Sequence, residues 1–310
     1  MSDNGQSHQP HKPEYALLSS FCTVATVGIL ISIKAYAYYF SGSTAMLGTL
    51  VDSVVDLAVS LMLLFAVRLS LKPADKDHRF GHGKVEGIAA LLQGAFMGGA
   101  GIFLVFEAFN RFANPVDLVH HELAIAVAVI AICMSIFILA VQKFSLRRAP
   151  SLAVEADHGH YKTDVSLNGT VIVAVMVDMY GGPSWLDPAF GLLIAGYFLW
   201  VAWSVTNKSL AMLMDKELPD EMRYNIYRIV EKHSQIHGMH DLRTRMSGMN
   251  IYMSFDVELD PELSLQEAHD IVRELDHAIL EQYPNAEILI HMDPVGDTAD
   301  ARHGVDGEQH

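Results

Sequence analysis

The sequence predicts an α-helical membrane protein in which a six-span bundle is followed by a small water-facing α+β domain of order αββαβ. Three observations carry this. Apolar runs of about 20 residues, the length that crosses a bilayer, recur six times before residue 210. The composition is intermediate: 51% hydrophobic and 18% charged residues with a mean hydropathy of +0.24 are too apolar for an average soluble chain and too charged for an all-membrane one. The charge is also divided, since residues 1–209 hold 13 Lys+Arg and 15 Asp+Glu whereas residues 210–310 hold 8 and 21. An acidic balance of this kind excludes nucleic acid as the partner of the second domain.

Taken in order, the spans fall at roughly 16–39, 44–68, 86–110, 122–142, 153–180 and 186–207. An even number puts both termini on one side. The connections 69–85 and 143–152 carry Lys72, Lys76, Arg79, Lys84, Lys143, Arg147 and Arg148, with Arg68 at their edge, while the opposite loops offer little beyond Arg111. The positive-inside rule therefore makes both termini and the acidic domain cytoplasmic. Lys34, near the outer end of the first span, is expected to snorkel, and Trp185, Trp200 and Trp203 suit interfacial anchoring. Cys22 and Cys133 lie in apolar segments, which argues against a disulfide framework or a thiolate metal cluster. The polar start, MSDNGQSHQPHKPEY, does not read as a signal peptide. Residues 1–14 and 296–310 read as disordered tails around a membrane domain (15–209) and a cytoplasmic domain (210–295).

After Lys208 the periodicity shortens. Pro219-Asp220-Glu221 opens an acidic first helical turn. MHDLRTRMSG and NIYMSFDVELD alternate as two strands joined at Ser247-Gly248. Ser264 and Glu267 form a capping-box pattern before a helix of about 18 residues, and AEILIHMD reads as a third strand.

The chemistry sits on two of the spans. Asp52 and Asp56 on the second, and His160 and Asp164 on the fifth, are each spaced i,i+4, which puts both members of a pair on one helical face. Ionisable groups deep in a bilayer cost about 2.5 to 3.5 kcal/mol each on insertion scales, so they persist where they meet a partner, an ion or a water-filled cavity. At 1.5 Å per residue, Asp52 and Asp56 lie about 12 and 18 Å below the outer boundary, and Asp164 and His160 about 10 and 16 Å. The pairs share a level, Asp52 beside Asp164 and Asp56 beside His160. Three carboxylates and one imidazole form a four-ligand N/O set suited to Zn²⁺ and tolerable for Cd²⁺, Fe²⁺ or Co²⁺. Simple helix-to-helix hydrogen bonding is the bland alternative, but such bonds are worth only about 0.6 to 2 kcal/mol. An intramembrane metalloenzyme is the other, and the chain holds no HExxH, GxSxG or P-loop.

At these residues the chain resembles the cation diffusion facilitator family. The likeness covers about residues 15–295 and includes the DxxxD and HxxxD pairs, PADKDHRFGHGKVEG, LMDKELPDE, HDLRTRMSG and IHMDP. The resemblance implies a homodimeric exporter with a ferredoxin-like cytoplasmic domain, not an enzyme, that exchanges divalent metal ions for protons across a lipid bilayer, here the bacterial inner membrane. It implies a transport site at Asp52, Asp56, His160 and Asp164, a second zinc site at Asp75, His78 and His82 in the loop after the second span, and a cytoplasmic binuclear site at His240, His269, His291 and Asp293. At that last site the chain departs from the pattern: Asp256 stands where a bridging His is usual. Lys84 and Asp215 match a charge interlock between the two domains. His158, His120, His121, His233, His237 and His277 match no motif.

The residues and the resemblance together point to a Zn²⁺ exporter driven by protons, with an Fe²⁺ or Cd²⁺ exporter of the same mechanism as the alternative. A non-transporting metal-sensing scaffold is a second alternative, though it has no use for the intramembrane quartet. A passive channel is a third, and three anionic ligands bind too tightly for rapid conduction.

Overall fold

This computed structural model describes residues 14–41, 44–113, 121–180, 183 and 185–296, without the side chains of 37, 40, 41, 44–49, 52, 121–124, 178 and 187. The expected tails therefore fall, apart from Glu14 and Gly296, outside the described residues. The chain forms two compact units that divide between Leu213 and Met214.

The first unit is six helices: α1 Glu14–Ser41, α2 Thr44–Ser70, α3 Val85–Ala113, α4 His121–Leu146, α5 Leu152–Met179 and α6 Leu186–Leu213. Among the described residues, five of them are long and apolar enough to cross a membrane, and α5 is the exception. At 28 residues it has the length, but Glu155, Asp157, Lys162, Asp164 and Asp178 dilute its hydropathy. The packing is inverted relative to a soluble protein, as a lipid solvent requires. Phe65, Phe103, Phe106, Phe109, Leu193 and Trp200 point outward, while Thr23, Ser53, Ser60, Gln93, Gln142 and Asp157 are buried between helices. Trp185 and Trp203 are likewise exposed. Lys34, expected to snorkel, donates from its ammonium to the buried Ser53 Oγ on α2 at 2.7 Å.

Small residues set how closely these helices approach. Gly87, Gly94 and Gly101 recur every seven residues along α3 and meet α6: a Cβ at Gly94 would lie 2.6 Å from Thr206 Oγ1, and one at Gly101 3.0 Å from Leu199. Gly159 does the same for α5, where a Cβ would come within 2.9 Å of Val201 of α6. The residue next to His160 is thus one over which α6 can lie closely.

The second unit comprises α7 Asp220–Val230, β1 Gly238–Ser247, β2 Asn250–Leu259, α8 Leu265–Gln282 and β3 Ala286–Pro294. The αββαβ order is as the sequence predicts. The sheet order is β1-β2-β3, with β1 antiparallel and β3 parallel to β2. The two-residue connection after Ser247 turns at Gly248, whose φ of 61° suits the tight hairpin. Ser264 caps α8 with the full capping box to Glu267. Alternation along β2 sends Met253, Phe255, Val257 and Leu259 into a core with Ile226, Ile229, Ile271, Leu275 and Ile279 of the helices. The other face of β2, bearing Asp256 and Glu258, looks away from the helix layer.

Candidate metal centres

In the membrane unit, helical periodicity brings His160 and Asp164 of α5 to one side, facing Asp56 of α2. His160 Nε2 lies 3.4 Å from Asp56 Oδ1 and 3.5 Å from Asp164 Oδ2. These contacts fall short of hydrogen-bond geometry, and both ring nitrogens of His160 are buried without a hydrogen-bond partner among the described residues. The three ligand atoms lie within 4.8 Å of one another. An imidazole and two carboxylates that converge without bonding to each other leave room for a shared cation between them. The side chain of Asp52, the fourth expected member, lies outside the described residues. Its backbone belongs to α2, one turn before Asp56.

Reading the sequence missed the buried polar residues behind this group. Asp157, one turn before His160, is 5% exposed and accepts a 2.7 Å hydrogen bond from Gln142 Nε2 of α4. Gln142 Oε1 in turn lies 3.2 Å from His158 Nδ1. Asp157 shares a helical face with His160 and Asp164, and that spacing was the available signal. Tyr161 stacks its ring edge-on to His160, 5.4 Å between centroids, and its hydroxyl lies 3.4 Å from Ser60 Oγ of α2.

In the loop between α2 and α3, Asp75, His78 and His82 also converge within 4.8 Å. Gly81, at φ 72°, turns the chain so that His82 folds back. Its Nε2 comes to 3.5 Å from Asp75 Oδ2, and His78 Nδ1 to 3.4 Å from Asp75 Oδ1. The Asp75 carboxyl is held well below the usual carboxylate range, first by the Lys72 ammonium at 2.7 Å and then by the backbone N–H of His78 at 2.8 Å. It is an ionised ligand with two imidazoles beside it, a donor set that fits Zn²⁺ with solvent completing the sphere.

In the cytoplasmic unit the outer face of the sheet gathers His240, Asp256 and Asp293 within 4.8 Å. Register explains it, because His240 pairs with Asp256 across β1 and β2, and Asp256 with His291 across β2 and β3. His240 Nδ1 lies 3.7 Å from Asp256 Oδ2 and its Nε2 3.5 Å from Asp293 Oδ2. A bulge follows His240, with Asp241 at φ 53°, and ends this register before Arg243. Glu258, two residues after Asp256 on the same face, reaches to 4.0 Å from His240 Nε2 and was not anticipated. His291 pairs instead with the other oxygen of Asp293, at 3.1 Å. His269 is not in the group. It sits exposed on α8, in the helix layer, so the sheet separates it from the clustered side chains of its own chain. One imidazole and two or three carboxylates make this cluster harder than a histidine-rich zinc site.

Each residue of the expected Lys84–Asp215 interlock has a partner inside its own unit. Within its own unit Lys84 donates to the Leu213 carbonyl at 3.4 Å, and Asp215 faces Arg245 at 3.4 Å.

Comparison with known proteins decides the family. The profile described as the cation efflux transmembrane domain matches residues 20–214, and that of the cation efflux cytoplasmic domain matches residues 218–295. The chain belongs to the cation efflux, or cation diffusion facilitator, family. It is 37% identical over 296 residues to the cation-efflux pump FieF of Serratia proteamaculans, covering 94% of this chain and 98% of the relative. To FieF of Yersinia enterocolitica it is 40% identical over 294 residues, with the same coverage. Among solved structures, the zinc form of the putative zinc transporter CzrB matches at 27% identity and a TM-score of 0.26, covering 27% of this chain and 96% of that one. The cation efflux chain is thus an integral membrane transporter rather than an enzyme.

Proposed function

We propose that this cation efflux protein exports Zn²⁺ from the cytoplasm in exchange for protons by alternating access, with the ion carried between Asp52 and Asp56 of α2 and His160 and Asp164 of α5. The observation that carries this is the convergence of two carboxylates on one nitrogen of a buried imidazole that has no hydrogen-bond partner among the described residues. Binding requires that nitrogen and the carboxylates to be free of protons, so the arriving metal displaces them. On the outer side protons return to the same atoms and the metal leaves. The imidazole biases the set toward Zn²⁺ over harder ions, and Fe²⁺ and Cd²⁺ are the competing cargoes. The loop and cytoplasmic groups are read as resident regulatory metal sites. The cytoplasmic domain joins two copies, and His269 would reach a metal only from the partner's helix layer. The membrane is the bacterial inner membrane with both termini inside. A metal-sensing scaffold would need no cargo flux.

Metal-stimulated proton movement in proteoliposomes, run with Zn²⁺, Fe²⁺, Cd²⁺ and Mn²⁺ under an imposed pH gradient, tests the reading. Saturable Zn²⁺ flux that responds to the gradient and vanishes in Asp164→Ala is expected. Flux indifferent to the gradient, or retained in that variant, would overturn it.

A further inference from the structure

Glu86 is not among the proposed ligands, yet it is the most completely buried acid of the bundle among the described residues, with 0% of its surface exposed. It stands in the first turn of α3. Its Oε1 accepts from Ser70 Oγ, the last residue of α2, at 2.8 Å. Its Oε2 accepts from Ser151 Oγ at 2.6 Å and lies 3.5 Å from the backbone nitrogen of Ala153. Ser151 immediately precedes α5, and its Oγ accepts from Val154 N at 3.4 Å as an N-cap does. The carboxylate therefore sits at the positive end of the α5 dipole and binds, through its two oxygens, the end of α2 and the start of α5. These are the two helices that bear all four proposed ligands.

We propose that Glu86 is a positioning residue for the transport site, its bridge from Ser70 to Ser151 setting the separation of Asp56 from His160 and Asp164 and so the affinity and size selectivity for divalent cations. This rests on the assignment of the transport site given above. The lever is short and stiff. Nine residues separate Ser151 from His160, about 14 Å of helix, so a 5° tilt of α5 moves the imidazole by about 1.2 Å. Metal–ligand distances tolerate about 0.2 Å. A loosened tie therefore changes which ion fits before it unfolds anything.

The tie works through hydrogen bonds, and this separates it from a mere buried charge. Ser70 Oγ also lies 2.9 Å from the Val67 carbonyl. Its single proton can turn there and leave Oγ to accept from an amide, so Glu86→Gln keeps both arms of the bridge while Glu86→Ala removes them. The test is initial Zn²⁺ and Cd²⁺ uptake by proteoliposomes of the full chain, at several concentrations, with folded protein quantified by size exclusion. Glu86→Ala, and separately the double variant Ser70→Ala/Ser151→Ala, are expected to raise the half-saturating Zn²⁺ concentration at least tenfold and to change the Zn²⁺/Cd²⁺ ratio at least threefold. Glu86→Gln should stay within twofold of the native chain on both. Unchanged half-saturation and ratio in Glu86→Ala and the double variant overturn the proposal, as does a Gln variant as impaired as the Ala variant. If Glu86→Ala does not fold, the serine variant decides. Asp164→Ala runs alongside: saturable flux that survives there sinks the transport-site assignment itself, whereas its loss with normal Glu86→Ala kinetics sinks only the tie.

Discussion

Replacing Gln142 with Met keeps the volume of the side chain between α4 and α5 and removes its hydrogen bonds. The main loss is the 2.7 Å bond to Asp157 Oδ2, made between side chains 1% and 5% exposed. A typical hydrogen bond is worth about 0.5 to 1.5 kcal/mol net in water-soluble proteins. Between membrane helices measured couplings average about 0.6 and reach about 1.7 kcal/mol, because the unfolded chain in lipid finds other partners. The upper end applies here. Asp157 Oδ1 has no hydrogen-bond partner among the described residues, so nothing compensates. The Gln142–Asp157 coupling should be about 1.5 kcal/mol, with a little more lost from the 3.2 Å contact of Gln142 with His158. The assay is a double-mutant cycle of Gln142→Met and Asp157→Ala, read by reversible denaturation in mixed micelles. A coupling below about 0.3 kcal/mol would refute the view that this pair fastens α4 to α5.

Three further outcomes follow from the geometry. Gly94→Ala forces a Cβ to within 2.6 Å of Thr206 Oγ1 and should destabilise the α3–α6 contact by about 1 to 3 kcal/mol, with partial recovery in Gly94→Ala/Thr206→Ala; thermal unfolding in detergent reads both. Ser264 holds the Glu267 carboxyl below its ordinary value through its hydroxyl and its backbone N–H. A depressed carboxyl contributes stability that is complete above its unfolded pKa and fades as pH falls through its lower folded value, so amide protection factors in the first turn of α8, corrected for the slower intrinsic exchange in acid, should fall on acidification below about pH 4.3. In Ser264→Ala the turn should already exchange faster at neutral pH. Asp256→His places a second imidazole opposite His240 and should tighten Zn²⁺ relative to Mn²⁺ at the cytoplasmic cluster, as calorimetric titration would measure; unchanged selectivity would remove Asp256 from that site.

What could be read without coordinates follows from which physical signal each feature leaves. The i,i+4 pairs announced their helical faces, and depth arithmetic put Asp56 level with His160, which the 3.4 Å contact bears out. Alternation in NIYMSFDVELD gave β2 and its two faces. Helix ends were less legible because hydropathy reports the bilayer and not the helix: α6 runs on to Leu213, past the apolar run, with Ser209 buried and Lys208 bonded to Glu155. Gln142 and Glu86 gave no warning, since a lone polar residue in an apolar helix has a direction but no period. Their partners come from other helices, and only packing shows them. His269 shows what one chain leaves open: it stands on the helix layer, away from the cluster on the sheet of its own chain.

The central claim is that Asp52, Asp56, His160 and Asp164 hold the transported ion. X-ray absorption at the zinc edge tests it most directly, on the full chain with His78, His82, His240 and His291 replaced by Ala so that the loop and cytoplasmic clusters are disabled. The account predicts one bound Zn²⁺ with about four nitrogen or oxygen ligands near 2.0 Å and a single imidazole in the sphere, lost in Asp164→Ala. A sphere containing sulfur or several imidazoles, or zinc that persists when Asp164 is gone, would contradict it.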